Sequence, residues 1–436
     1  MKSSFAGGLA LRWTVLCLAS LAAPALLSAT WVTCYPTICD LGSLGSQGSS
    51  ASFINDDGDV AGLSDVGSPA TAHAFLYDPG DINITDLDPA SGSTVTGLNS
   101  SGDVSGSEGS TAFFYNGTLT PLGHLSGGFG SLGNDLNDSG TVVGESEASQ
   151  SEAFSWTSGG GMTAPSALVA LGGSPDALLI DNAGDIAGYY TAGSNQSDAF
   201  FLSYTGPLVS GITLGGDTNP LAINTSGQVV GSSYLGTQNS GEQHAFLFSY
   251  TPGSGGSWSD LGTIGNYDGN SDALAINDSG EVVGESDAAP GVSHAFMYVG
   301  AALVDLGTLN GSSGNSIADA VNDNGWIVGT ASTGSGTDPF VYINGQMIDL
   351  NTPEFLAGTD FSSLTTATGI NLAGDIIGVG VTTSGATDAY VLNYAAAAAD
   401  ATPEPSTLAS MTLGLLSCAL VVLRHRKRSH RNFDCN

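Results

Sequence analysis

One nine-residue pattern recurs eight times along the chain and limits its fold more than any other feature. It reads INDDGDVAG from Ile54, LNSSGDVSG from Leu98, LNDSGTVVG from Leu136 and IDNAGDIAG from Ile180. INTSGQVVG from Ile223, INDSGEVVG from Ile276, VNDNGWIVG from Val321 and INLAGDIIG from Ile370 complete the set. The closing glycines fall at 62, 106, 144, 188, 231, 284, 329 and 378, a period of 38 to 53 residues. A period of that size means one supersecondary unit per repeat, each burying its faces against its neighbours. In the copy at Ile276, the preceding ALAIN alternates small and branched residues, as a half-buried strand does. DSG is turn chemistry, because Asp and Ser bond local backbone and Gly accepts positive φ. EVVGES then returns antiparallel.

A second element follows each copy: His73-Ala74-Phe75, Ala112-Phe113, Ala153-Phe154, Ala199-Phe200, His244-Ala245-Phe246, His294-Ala295-Phe296, Pro339-Phe340 and Ala389-Tyr390. A third appears as DLGSLG from Asp40, DLGTIG from Asp260 and DLGTLN from Asp305. Together they predict a four-stranded antiparallel sheet of about 45 residues, the size of a propeller blade. The repeats begin with a fourth strand, TICDLGSL, and end after a third, DAYVLNY. An N-terminal strand that completes the last blade would latch a ring. The expected fold is therefore all-β: a β-propeller of about eight four-stranded blades closed by an N-terminal strand, with a β-solenoid as the alternative. The His-Ala-Phe element resembles the bacterial extracellular repeats of the HAF type, across nearly the whole of residues 30–400. That resemblance speaks to architecture and says little about activity.

The ends of the chain carry addresses. Residues 1–29 have a cationic start, an apolar stretch at 13–23 and small residues near Ala29, the pattern of a secretory signal peptide. Residues 401–436 hold Pro403-Glu404-Pro405, an apolar run over 406–423 and a basic tail with Arg424, Arg426, Lys427 and Arg428. Eighteen helical residues span about 27 Å, near the thickness of a bilayer core, so 406–423 is a candidate transmembrane helix. The arrangement resembles the PEP-CTERM sorting signal of Gram-negative bacteria. The resemblance implies an exosortase as partner, transient anchoring in the inner membrane, and delivery to the cell surface or extracellular matrix.

Charge excludes some functions. All seven Lys and Arg lie in the two ends, while all but Glu404 and Asp434 of the 41 acidic residues lie between them. A body without cations is unsuited to nucleic acid. Cys34 and Cys39, in CYPTIC, are a candidate disulfide in an exported chain. No cofactor is expected. Calcium is the one candidate cation, at residues 55–60 (NDDGDV) or diffusely over the acidic surface.

Is the recurring polar turn a catalytic loop? One chain rarely needs the same catalytic group eight times, and the acid drifts: Asp278 becomes Ser100, Thr225 or Leu372 in other copies. The turn reads as structural. His73, His244 and His294 sit where other copies carry Thr111, Glu152, Asp198, Asp338 and Asp388, which suits a side chain bonding a neighbouring strand. No catalytic, metal or cofactor-binding residue is assigned. The expected function is a non-enzymatic surface or matrix repeat protein, with exopolysaccharide as a candidate contact. The alternatives are a ligand-binding propeller of adhesin or lectin type, with Trp156, Tyr189, Tyr190 and Trp258 as candidate sugar platforms, and a carbohydrate-active enzyme.

Overall fold

The computed structural model describes residues 33–394 apart from 35–37, 46–47, 68–69, 89–90, 193–195, 237–240, 267 and 312. The signal and sorting segments, with the candidate transmembrane helix, lie outside the described residues. Among the described residues no helix is long and apolar enough to cross a membrane.

Eight antiparallel sheets of sequential strands form the blades of a propeller. Blades one to seven occupy residues 49–86, 93–121, 130–163, 176–212, 218–262, 271–307 and 316–349. Blade six shows the plan: Ser271–Ile276, Val282–Ala289, Val292–Val299 and Ala302–Gly307, each pairing with the next. Blade eight takes Phe361–Ile370, Asp375–Thr382 and Thr387–Asn393 from the end of the chain and Ile38–Gly42 from its beginning, with Thr33–Cys34 on the outer edge. First strands of neighbouring blades touch all the way round, that of blade eight against that of blade one included. Thr368 Oγ1 to the Ala51 carbonyl (3.0 Å) and Asn371 Nδ2 to the Asn55 carbonyl (3.1 Å) bond across this closure. An open solenoid would have no such bonds, so that alternative is set aside.

Each repeated motif has its place in the blade. The residue of the Phe position is fully buried between sheets in all eight copies, Tyr390 serving in the last. Burying each is worth roughly 2–3 kcal/mol. Tyr390 also places its hydroxyl 2.7 Å from the Thr366 carbonyl. The first two strands shift register by one residue in every blade, as between Ala273 and Ala275 in blade six. That bulge brings the first strand's carbonyl over the closing glycine of the repeat, where a Cβ would overlap it.

The other two motifs join blades. His294 Nδ1 lies 2.9 Å from Asp305, His244 2.8 Å from Asp260 and His73 3.0 Å from Asp86. Each pair ties the third strand to the fourth. Asp305 also accepts the Gly307 N–H (2.8 Å), and Gly307 (φ 69°) turns the chain there. A serine opening the next blade then locks both elements: Ser316 Oγ accepts the Ala295 N–H (2.8 Å) and donates to the Gly307 carbonyl (2.5 Å). The same serine-to-alanine bond recurs at Ser49, Ser93, Ser131 and Ser271.

Candidate functional site

The recurring turn ends each first strand at one mouth of the central channel. Its Asn caps its own turn: Asn277 Oδ1 accepts the Glu281 N–H at 2.9 Å. Its Nδ2 reaches the carbonyl of the equivalent residue in the following blade. Asn55, Asn99, Asn137, Asn224, Asn277, Asn322 and Asn371 all make this bond, at 2.8–3.2 Å. The turns together therefore form a ring of blade-to-blade bonds.

The eighth position is Asp181. Its Oδ1 accepts the N–H groups of Ala183 (2.9 Å) and Asp185 (2.8 Å), as an Asn would. Its Oδ2 takes the place of the donor nitrogen and has no partner, although the residue is only 5% exposed. Burial, followed by the neighbouring Asp185 carboxylate, pushes the Asp181 carboxyl up to about 6. The sequence carries the signal, IDNAG where seven copies have Asn, but nothing local marks it as important.

Outside this ring lies a second. Asp278 Oδ1 accepts the Thr225 N–H (3.0 Å), Asp323 the Asp278 N–H (2.9 Å) and Asp56 the Leu372 N–H (2.9 Å). Residues of both rings, Asn224, Asn277, Asp278 and Asp323 among them, line a cup of about 310 Å³ together with Ile54, Ile223, Ile276 and Ile370. In the 55–60 loop, Asp59 is bonded to Asn55 (2.8 Å) and Asp56 to blade eight, so its carboxylates are not gathered on one point. Among the described residues no three His, Cys, Asp or Glu side chains are grouped to hold a metal.

A second cavity, of about 200 Å³, opens between blades four and five at the other end of the first strands. Tyr189, Tyr234, Ser197, Asp217, Asn219 and Gln243 line it. Its edges are fixed by bonds from the Ser197 N–H to Asp217 (2.7 Å) and from Gln243 Nε2 to Asp272 (3.1 Å). Beside it, burial and then Glu145 raise Asp176 to about 6. Asp176 accepts from Asn134 (2.8 Å) and also bonds Tyr189. Of the four aromatics expected to bind sugar, Tyr189 alone lines this cleft. Trp156 is buried against Phe114, ring centroids 5.3 Å apart, so it is a core residue. Tyr190 packs into the core of blade four, and Trp258 is 46% exposed on the outer strand of blade five. Cys39 is disulfide-bonded, and its partner in the strand register is Cys34. Pro403, Glu404, Pro405 and the basic tail lie outside the described residues.

No known family's sequence profile matches the chain, and no curated protein matches it in sequence. Similar solved structures are found. Dipeptidyl peptidase 4 of Porphyromonas gingivalis is 12% identical, with a TM-score of 0.47 over 74% of this chain and 56% of that one. The β-propeller domain of the Trilobed protease from Pyrococcus furiosus is 6% identical, with a TM-score of 0.45 over 72% and 98%. The acylaminoacyl peptidase of Pyrococcus horikoshii is 8% identical, with a TM-score of 0.45 over 79% and 65%. The chain thus spans just over half of the first and under two thirds of the third. These neighbours correct the expectation of a non-enzymatic matrix protein. The proteins named there are peptidases, and the expectation is withdrawn. At such similarity the likeness concerns the fold and transfers no activity.

Proposed function

We propose that the chain is an exported binding propeller that takes a saccharide in the cleft between blades four and five. The lining of that cleft carries the reading: Tyr189 and Tyr234 offer apolar faces, while Asp217, Asn219, Gln243 and Ser197 offer groups for ligand hydroxyls. Aromatic walls with a few placed polar groups are the usual make-up of such sites. The body has no Lys or Arg, so an anionic ligand is disfavoured and a neutral polyol suits the site. Exopolysaccharide is the ligand class a cell surface supplies.

Export rests on the signal pattern of residues 1–29 and on Pro403, Glu404 and Pro405 ahead of the apolar run and the basic tail. An exosortase would be the partner that processes this tail. The disulfide-bonded Cys39 supports an oxidising compartment. The repeat itself is read as the HAF type. Mass spectrometry of the C-terminus after cell fractionation tests the sorting half. An intact tail in a cytoplasmic fraction would overturn it.

Calorimetric titration against a panel of polysaccharides tests the binding half. One saturable ligand is expected, with Tyr234→Ala weakening it at least tenfold and Trp258→Ala leaving it unchanged. Equal loss in both variants, or no saturable ligand, would remove the cleft from consideration. The same mixtures, followed for product release, report whether bound saccharide is also turned over.

A further inference from the structure

The seam between blades four and five lacks the recurring serine bond at one end and the asparagine bond at the other. At the cleft end, Thr218 stands at the serine position, and its hydroxyl is engaged within its own blade by the Gly216 carbonyl (3.3 Å) and Ser233 Oγ (2.7 Å). At the cup end, Asp181 interrupts the ring of asparagines. In the other copies the side-chain nitrogen bonds the next blade's carbonyl, and in several it also bonds the side chain four residues on, as Asn277 does with Glu281 (2.8 Å). The equivalents here are the Asn224 carbonyl and the Asp185 carboxylate. Asp181 Oδ2 stands where that nitrogen would donate and has no hydrogen to give either acceptor, and it is buried without a partner. Oxygens brought toward one another in this way, with no donor among them, repel unless a positive charge joins them. No Lys or Arg of the body can supply it, because the body has none.

We propose that this gap is a calcium site, in which Asp181 Oδ2, the Asp185 carboxylate and the Asn224 carbonyl hold a hard divalent cation that replaces the missing asparagine bond and clamps blade four to blade five. All three ligands are oxygens, the donor set that such a cation takes. Asp181 and Asn224 line the cup, so the gap lies beside an open, polar space from which an ion can approach. Two carboxylates and one carbonyl make a modest site, with a dissociation constant on the order of 0.1–1 mM, the range of extracellular modules. The assignment is independent of whether the cleft at the other end binds saccharide.

The test uses calcium chloride alone, on the purified full-length protein and on Asp181→Asn, which restores the eighth asparagine. At pH 7.5, calcium should raise the wild-type melting temperature by several degrees over that in EDTA. Asp181→Asn should melt in EDTA at or above the calcium-loaded wild type, and calcium should no longer move it. Calorimetry should find one saturable site in the wild type that the variant lacks. Asp185→Asn, which keeps the ring sequence unchanged, should weaken calcium binding at least tenfold. An equal calcium response in the wild type and Asp181→Asn would mean diffuse binding to the acidic surface and would overturn the proposal. A wild type that ignores calcium, and whose gain in stability below about pH 6 shrinks in Asp181→Asn, would show that a proton fills the gap, and would overturn it too.

Discussion

A methyl group added at Gly284 would overlap the carbonyl oxygen of Asp272, whereas one added at Gly334 would meet nothing within 4 Å. The same collision with a first-strand carbonyl awaits each of the eight closing glycines, which explains why that position never varies among the copies; the turn glycine four residues earlier is also invariant, and there the cause is a positive φ in every copy. Gly284→Ala should cost about 1–3 kcal/mol, since the bulge and the buried Phe296 beneath it leave little room to relax. Gly334→Ala should stay within about 0.5 kcal/mol. Urea denaturation of the two variants side by side checks both, and equal costs would refute the close-approach account. The position was legible in the sequence as an invariant glycine; its reason was not. A turn glycine and a glycine under a carbonyl look alike in one dimension, and only the register shift separates them.

The latch strand Ile38–Gly42 joins the two ends of the described chain, with Ile38 opposite Leu392 and Asp40 opposite Tyr390. Ile38 and Leu41 are fully buried by it, worth about 1.5–3 kcal/mol each. Deleting residues 38–42 should therefore lower stability by about 3–6 kcal/mol and strip hydrogen-exchange protection from Thr387–Asn393 first. Unchanged protection there would mean that the ring closes without the latch. Seam bonds can be probed in the same way. Ser271→Ala leaves the buried Ala245 N–H without its acceptor and should cost about 1–3 kcal/mol. Blade count, strand order and latch could be read from the sequence because the period repeats and the pattern starts one strand out of phase. Two features stayed hidden. The short helices Ser166–Leu171 and Pro353–Leu356 lie between blades, where no repeat predicts them. The asparagine and serine bonds join residues in different blades, and no local spacing reveals such a pairing.

With a net charge of −34 and no basic residue in the body, the folded ring gathers carboxylates that it cannot pair with Lys or Arg. Burial first, and neighbouring carboxylates at most of these positions, push Asp40, Asp176, Asp181 and Asp319 up to about 6, and burial pushes Asp135 to about 7. Each rises from an ordinary value of 3.8, so the folded state holds these protons more tightly than the unfolded chain. Folding then takes up protons between about pH 4 and 7, and stability must fall as pH rises through that window. The contribution is complete below the ordinary carboxylate range and gone once the pH passes about 7. Repulsion among the exposed carboxylates acts in the same direction, but added salt screens it, whereas the buried groups are screened far less. Calorimetric melting at high salt should therefore still show a higher midpoint at pH 5 than at pH 8, the reverse of a chain whose carboxylates are salt-bridged. Asp135→Asn should flatten the upper part of the profile, because Asp135 holds its proton to the highest pH of the five. A profile already flat in the wild type would mean that bound cations neutralise these carboxylates at neutral pH. In that case chelation, rather than acidification, would move the midpoint.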